Sequence, residues 1–240
     1  MSIKIPYHDI NLEPTMSKSP DFNRRSRRMQ TERSFRSQII AAIPLTDQEK
    51  LFHVRICDPS EREQFSFLPG QFVMLELPGC GEVAISISGS SSNKEFLELC
   101  VRRVGLVTGI LHRLEAGAMV GIRGPFGTHF PMQEMKGTNI LLIAGGLGIA
   151  PLRSPIYWAN EHRTDYEDIT ILYGAREPDQ ILFDYQFDEW RKIYGLKMLT
   201  IVENPDENWN GHVGMITDLF DDVPVDPDNT TIVVDVPYNL

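Results

Sequence analysis

An apolar run followed at once by closely spaced glycines constrains the fold of this chain more than any other feature. Residues Ile140 to Ala144 form a short, unbroken apolar run, typical of a strand buried on both faces of a parallel sheet. Gly145-Gly-Leu-Gly148 follows, and Pro151 suits the first turn of a helix, where its missing N–H leaves nothing unpaired. A strand, a glycine turn and a helix start together indicate a phosphate site, because the backbone can approach an anion closely and offers it free N–H groups.

The spacing of these glycines leaves two interpretations open. It is not the G-x-G-x-x-G dinucleotide fingerprint. The stretch therefore predicts either a dinucleotide-binding loop or a tight strand-to-helix connection without a ligand.

Length and cysteine content limit the class of protein. A chain of 240 residues can form two modest domains, and no apolar run approaches the roughly 20 residues of a membrane helix. The first residues contain no apolar segment typical of a secretory signal. The three cysteines, Cys57, Cys80 and Cys100, show no metal-binding spacing, so we expect no metal site, no disulfide framework and a cytoplasmic location.

The net charge of −10 is unevenly distributed along the chain. Residues 1–36 hold eight Lys/Arg and four Asp/Glu, a net of +4, whereas the remainder holds 15 and 29, a net of −14. The acidic body argues against nucleic acid as a partner. We interpret residues 1–36, with the basic cluster Arg24 to Arg28, as an extended or disordered arm that is solvated or docks to a subunit, and treat nucleic-acid binding by the cluster as a remote alternative.

Short strands separated by turns follow from Ser37 onward. Phe52, Val54 and Ile56 alternate with polar residues at a period of two, and a polar loop is expected at 58–64. Six such strands, with one short helix at Leu106–Leu114, predict a small all-β antiparallel barrel over residues 37–134.

Strands and helices alternate in the remainder of the chain. Strands are expected at 140–144, 169–173, 196–202 and 231–236, and helices near 151–162, 181–194 and 214–220. This alternation predicts an α/β doubly wound parallel sheet over residues 135–240. The buried stripe of the second helix is expected to consist of Ile181, Phe183, Phe187, Trp190 and Tyr194.

Four motifs occur in a characteristic order: Pro69-Gly-Gln-Phe72 with Ala84-Ile-Ser-Ile-Ser88, Arg102-Arg-Val-Gly-Leu-Val-Thr108, Gly124-Pro-Phe-Gly127 and Gly145-Gly-Leu-Gly-Ile-Ala-Pro151. Together they resemble the ferredoxin–NADP reductase-like flavoprotein superfamily over about residues 37–237. The resemblance is greatest to flavin-bearing electron-transfer subunits, namely the gamma subunit of sulfhydrogenase and nickel–iron hydrogenases and the electron-transfer subunit of dihydroorotate dehydrogenase.

The resemblance implies an FAD site in the barrel. The strand at 83–88 would lie against the flavin, with the Ser86 hydroxyl near the reactive ring nitrogen as a candidate catalytic group. The plain alternative is that Ser86 and Ser88 form the polar face of a strand and that the glycines only make turns. The implied FAD-binding residues are Ala84, Ile85, Ser86 and Ile87 at the ring, Gly105, Val107 and Thr108 at the pyrophosphate, and Gly124, Pro125 and Gly127 where the two domains meet.

The resemblance also implies a nicotinamide-nucleotide site. Gly174 and Arg176 match the segment at the adenosine ribose, where Arg176 would either meet a 2′-phosphate or be a surface arginine, and NAD is preferred over NADP. The implied pyrophosphate loop comprises Gly145, Gly146, Gly148, Ile149, Ala150 and Pro151.

Three departures from the family pattern matter. The Arg of an Arg-x-Tyr-Ser motif, which pairs with the FAD phosphates, is absent at Val83–Ser86, and Arg102 or Arg103 is the candidate substitute. Asp235-Val-Pro237 replaces Cys-Gly-Pro, which makes Asp235 a candidate catalytic position and calls hydride transfer into question. The chain ends before a four-cysteine loop, so we expect a truncated C-terminus and no [2Fe–2S] cluster in this chain.

The sequence thus predicts an FAD-dependent NAD(P)H oxidoreductase subunit. It would pass electrons between NAD(P)H and an iron–sulfur or hydrogenase-type partner, without membrane insertion. The alternative is an FAD-binding or complex-docking remnant that does not turn over nicotinamide.

Overall fold

The computed structural model describes residues 33–236. The basic cluster Arg24–Arg28, the larger part of the expected N-terminal arm, and Pro237 lie outside the described residues. Among the helices of residues 33–236, none combines the length and apolar character needed to cross a membrane.

The first half of the described chain is an antiparallel sheet that closes on itself. Its strands lie in the order β4-β3-β6-β1-β2-β5, and a bridge between Ile87 and Leu99 joins the two end strands. This bridge brings the ends of the sheet together at one point, and the sheet encloses an apolar core, so the predicted antiparallel barrel is confirmed. The elements are β1 (Phe35–Pro44), β2 (Glu49–Ile56), α1 (Pro59–Gln64), β3 (Phe72–Leu77), β4 (Gly81–Ser86), β5 (Leu97–Arg102), α2 (Leu106–Leu111) and β6 (Met119–Phe126).

The second half is a five-stranded parallel sheet in the order β10-β9-β8-β7-β11. A 3-10 helix at Ile216–Asp222 lies between its last two strands in the chain. The elements are β7 (Asn139–Gly145), α3 (Ile149–Glu161), β8 (Ile169–Ala175), α4 (Asp184–Trp190), β9 (Leu196–Val202), β10 (His212–Val213) and β11 (Thr230–Asp235).

The apolar run of β7 is buried because both faces of the parallel sheet are covered. Ile140 and Leu142 belong to a core cluster that includes side chains of α3 and α4. Leu141 and Ile143 point to the opposite face and cluster with Leu219 of the 3-10 helix. Helical segments on both faces confirm the predicted doubly wound arrangement.

Local structure departs from the sequence-based expectation at several helices; the helix expected at 214–220, for instance, is the 3-10 helix Ile216–Asp222. The expected polar loop 58–64 contains α1, because the Asp58 carboxylate accepts hydrogen bonds from the backbone N–H groups of Ser60 and Glu61 at 2.9 and 3.0 Å, and Pro59 occupies the first helical position. The helix expected at 181–194 is shorter, since α4 ends at Trp190. Tyr194 therefore lies beyond the helix and is 88% exposed, so its assignment to the buried stripe was wrong.

A buried arginine on α3 joins the two halves of the protein. Arg153 is 1% exposed, and its Nη1 lies 2.7 Å from Oε2 of Glu98 on β5 and donates to the carbonyl oxygen of Ser88 at 3.3 Å. Its Nη2 donates to the Tyr157 hydroxyl at 2.8 Å, and its guanidinium carbon lies 4.1 Å from the centre of the Phe183 ring. The sequence analysis did not identify this arginine, which ties the barrel to the parallel sheet.

Removing this arginine is expected to destabilise the protein strongly. Arg153→Ala leaves Glu98 without its partner in a largely buried site, which typically costs about 3–5 kcal/mol of unfolding free energy. Urea denaturation followed by tryptophan fluorescence measures the loss. The control is Arg191→Ala, which breaks the exposed pair with Asp188 and should cost less than about 1 kcal/mol. Equal losses in the two variants would contradict a linking role for Arg153.

Candidate functional site

A cleft of about 390 Å³ opens between the barrel and the parallel sheet. It lies at the carboxyl ends of β7 and β11, which is the edge of a doubly wound sheet where ligands bind. The barrel lines it with Val83–Ser86, Cys100–Arg102, Val104 and Thr108, and the parallel domain with Leu147, Gly148, Ala150, Pro151 and Asp235.

Strand β4 forms one wall of the cleft. Ile85 points into the barrel core, whereas Ala84 is exposed and Ser86 is half-buried on the cleft side. β4 is an end strand, and over 81–86 it pairs with β3 alone among the described residues. This wall therefore offers small side chains and a free backbone edge, which suits a flat ring with hydrogen-bonding groups at its rim.

Arg102 brings a positive charge to the cleft. It stands directly opposite Glu49 in the β2–β5 register, and its Nε donates to Glu49 Oε1. Glu49 is 4% exposed, and its second oxygen accepts from the Thr46 hydroxyl. The buried carboxylate holds the guanidinium in place at the cleft wall. Arg103, the other candidate, is exposed and does not line the cleft.

The turn before α2 is organised by Thr108. The Thr108 hydroxyl accepts hydrogen bonds from the backbone N–H groups of Val104 and Gly105, each at 3.0 Å. Thr108 and Val104 line the cleft, whereas Gly105 caps α2 and Val107 packs against the barrel core. The hydroxyl thus holds the turn closed at the point where it reaches the cleft.

The loop Gly145–Gly148, which we call the glycine loop, restricts side chains at two positions, at Gly146 by a left-handed backbone conformation and at Gly148 by crowding. Gly146 has φ +48°, and a Cβ built on it would point towards Arg102, with Nη2 4.0 Å away. A Cβ on Gly148 would lie 1.9 Å from the carbonyl oxygen of Asp235, because β11 runs beside β7 up to the pair Asp235–Ala144. Gly148 is therefore required by the close approach of β11 to the glycine loop.

Asp235 ends β11 with its carboxyl group in the cleft. Burial raises the pKa of this carboxyl above its ordinary value. This part of the cleft therefore carries an acid of increased proton affinity, at the position that the sequence resemblance predicts to correspond to the cysteine of the family motif.

The remaining residues predicted for the FAD site lie away from the cleft lining. Gly124, joined to Pro125 by a cis peptide bond, and Gly127 both pack against Phe72, on which a Cβ of Gly127 would impinge at 2.9 Å. Ile87 is wholly buried in the barrel core. Their roles at a cofactor stay predictions.

The remaining residues predicted for the nicotinamide site are dispersed in the parallel domain. Gly145 pairs with Gly174 across β7 and β8, and a Cβ on Gly174 would come within 3.2 Å of Ile216. Ile149 is wholly buried, and Arg176 is exposed just after β8. Their assignments also stay predictions.

Sequence reasoning missed Cys100, Val104 and Leu147, which line the cleft, and Glu49 and Thr46, which support Arg102 without lining it. Glu49 contacts Arg102 across the β2–β5 pair, which only the register reveals, and Thr46 binds the other oxygen of that carboxylate from the turn before β2. Burial raises the pKa of the Cys100 thiol to about 12, so this thiol stays protonated at neutral pH. Within residues 33–236, no group of three or more His, Cys, Asp or Glu side chains could hold a metal ion.

In a comparison with known proteins, each half of the described chain matches a functional domain. Residues 38–130 match the oxidoreductase FAD-binding domain, and residues 142–234 match the oxidoreductase NAD-binding domain. Sulfhydrogenase 1 subunit gamma of Pyrococcus furiosus is 39% identical over 201 residues, covering 83% of this chain and 69% of that protein.

Two further similarities are more distant. A probable dihydroorotate dehydrogenase B (NAD(+)) electron transfer subunit of Methanocaldococcus jannaschii is 34% identical over 161 residues, 67% of this chain and 55% of its own length. The structure of an Amycolatopsis cytochrome P450 reductase has a TM-score of 0.72 at 24% identity, covering 84% of this chain and 61% of that one, which supports the fold. The resemblance inferred from the motifs is confirmed.

A side chain at Gly148 is expected to disrupt the packing of β11 against the glycine loop. Gly148→Ala forces the Asp235 backbone away and should cost about 1–3 kcal/mol of unfolding free energy. The control is Gly109→Ala within α2, where a Cβ meets nothing within 4 Å and helix propensity should add about 0.5–1 kcal/mol. Urea denaturation measures the unfolding free energies of the two variants. A neutral Gly148→Ala would contradict close packing of β11 on the loop.

The raised pKa of Asp235 predicts a pH-dependent stability. The folded state binds the proton more tightly than the unfolded state, so the unfolding free energy falls as the pH rises from the ordinary value of 3.8 through the raised pKa. Asp235→Asn removes the ionisable group, and with it this fall in the unfolding free energy. The variant should therefore be more stable than the wild type at pH 7, and the difference should vanish below pH 3.8.

Thermal melts across this range measure the effect. The control is Asp58→Asn, because hydrogen bonds led by that from the Ser60 side chain lower the pKa of Asp58. That variant should be less stable than the wild type at pH 7, with the difference lost in acid. A pH-independent effect of Asp235→Asn would refute burial as the cause.

Proposed function

Because the chain belongs to the ferredoxin reductase-like family of FAD- and NAD-binding oxidoreductases, we propose that it is the flavin-bearing subunit of an electron-transfer complex. It passes electrons between NAD(P)H and an iron–sulfur or hydrogenase-type partner in the cytoplasm. A single observation carries this proposal, namely that one cleft is lined both by the β4 wall of the barrel and by the glycine loop of the parallel domain.

The residues of the barrel side fit an FAD. Ala84 and Ser86 present a small-residue surface, and the free edge of β4 supplies N–H and C=O groups to the rim of a ring. The turn held by Thr108 and the guanidinium of Arg102 form the polar end of the same wall. When bound there, FAD supplies the exchange between a two-electron hydride donor and one-electron carriers.

The residues of the parallel domain fit a nicotinamide nucleotide. The glycine loop leads into α3, a helix of 13 residues, and free backbone N–H groups there favour a pyrophosphate. NAD is proposed rather than NADP, with the exposed Arg176 interpreted as a surface arginine. The chain's contribution is to bring the two ligands to one place, to orient them and to exclude water between them.

One observation favours the alternative, a subunit that binds FAD or docks to a complex without turning over nicotinamide. The Asp235 carboxyl stands in the cleft where the family motif has a cysteine. An ionised carboxylate there makes the cleft more negative, which opposes the entry of an anionic nucleotide.

The visible spectrum of the purified protein distinguishes these functions. The proposed function requires a yellow protein whose absorbance bleaches when NADH is added without oxygen. A yellow protein that NADH does not bleach indicates the non-catalytic alternative. A colourless protein that takes up no FAD would refute the proposed function and the FAD-binding form of the alternative.

The role proposed for Ser86 is tested in the same assay. Ser86→Ala should retain FAD and slow its reduction by NADH about threefold to tenfold, the effect of one lost hydrogen bond. The control is Ser88→Ala, because the Ser88 hydroxyl donates to the Glu98 carbonyl oxygen at 3.1 Å instead of reaching the cleft. Equal rates in Ser86→Ala and the wild type would exclude Ser86 from the reaction.

A further inference from the structure

We infer that Arg102 is a positioning residue shared by the two nucleotide sites, whose charge lets FAD and the nicotinamide nucleotide bind together. The inference rests on the proposed function and adds a coupling between its two ligands. Its basis is the location of one guanidinium between the barrel wall and the glycine loop.

Arg102 is placed to reach both sides of the cleft. It lines the cleft on β5 beside Thr108, on the side proposed for FAD. Its Nη2 also lies 4.0 Å from the point where a Cβ of Gly146 would stand. Because Gly146 has no side chain, nothing of its own separates the guanidinium from the glycine loop.

The pairing of Arg102 with Glu49 leaves most of the guanidinium available. The ion pair engages Nε, whereas an arginine carries five N–H donors in a rigid fork that matches phosphate oxygens. Glu49 is buried, and its other oxygen is engaged by Thr46, so the carboxylate anchors the base of the fork. The Nη groups are then held towards the cleft.

A cation in this position changes how the two ligands affect each other. FAD and NAD(P)H each carry an anionic pyrophosphate, and two like charges held in one cleft repel each other. A guanidinium between them offsets this repulsion. Binding of one ligand then lowers the affinity of the protein for the other ligand only slightly. By thermodynamic reciprocity, the effect is the same in both directions.

The test compares ADP-ribose binding with and without FAD. ADP-ribose carries the pyrophosphate of NAD without the nicotinamide ring, so direct ring contacts do not contribute. Calorimetry gives its dissociation constant for the flavin-free and the FAD-loaded full-length protein. In the wild type, the FAD-loaded form should bind ADP-ribose at least as tightly as the flavin-free form.

Two variants test the charge of Arg102, and a third, at Arg103, is the control. The double variant Arg102→Gln with Glu49→Gln removes both charges, so no buried carboxylate is left unpaired. Its FAD-loaded form should bind ADP-ribose about tenfold more weakly than its flavin-free form, a coupling free energy of ~1.4 kcal/mol. Arg102→Lys keeps the charge without the fork and should show about a threefold ratio. Arg103→Gln removes an adjacent charge outside the cleft lining and should behave as the wild type.

The comparison within each variant separates coupling from general destabilisation, since both binding constants come from the same protein. If both Arg102 variants keep the ratio of Arg103→Gln, Arg102 does not couple the sites and this inference is overturned. If the wild type takes up no FAD, the proposed function fails, and the inference fails with it.

Discussion

The ion pair between Arg153 and Glu98 is the constraint on which the geometry of the cleft depends. A guanidinium that is almost wholly buried is stable only if a carboxylate and hydrogen-bond acceptors compensate its lost hydration. Glu98 and the Ser88 carbonyl supply that compensation from the barrel, so the two halves must dock in one orientation. The hydroxyl of Ser90 reinforces the docking with a 2.6 Å hydrogen bond to Glu161, at the end of α3.

Apolar packing also joins the barrel to the parallel domain. Leu51 of β2 and Cys100 of β5 belong to the core cluster of the parallel domain, although both strands are part of the barrel. Burial across this boundary makes the relative position of the two sheets part of the folded core. The cleft is therefore formed where two domains meet, with one wall from each, and its width follows from the docking.

The charged groups in the cleft are unevenly distributed, although the protein as a whole is acidic. Arg102, anchored by Glu49, lies near the glycine loop, whereas Asp235 lies at the end of β11. An anionic ligand would be drawn to the first and opposed by the ionised form of the second. Because burial favours the protonated form of Asp235, the desolvated cleft itself moderates that opposition.

The sequence by itself determined the fold class and the family. A period of two along the barrel strands, an apolar run ending in glycines, and four motifs in order are local patterns, and each follows from what a short segment can bury or bend. Only the tertiary structure decided that Arg102 and not Arg103 lines the cleft, and that Arg153 meets Glu98. These outcomes depend on strand register and domain docking, which join residues far apart in the chain and leave no local pattern to detect.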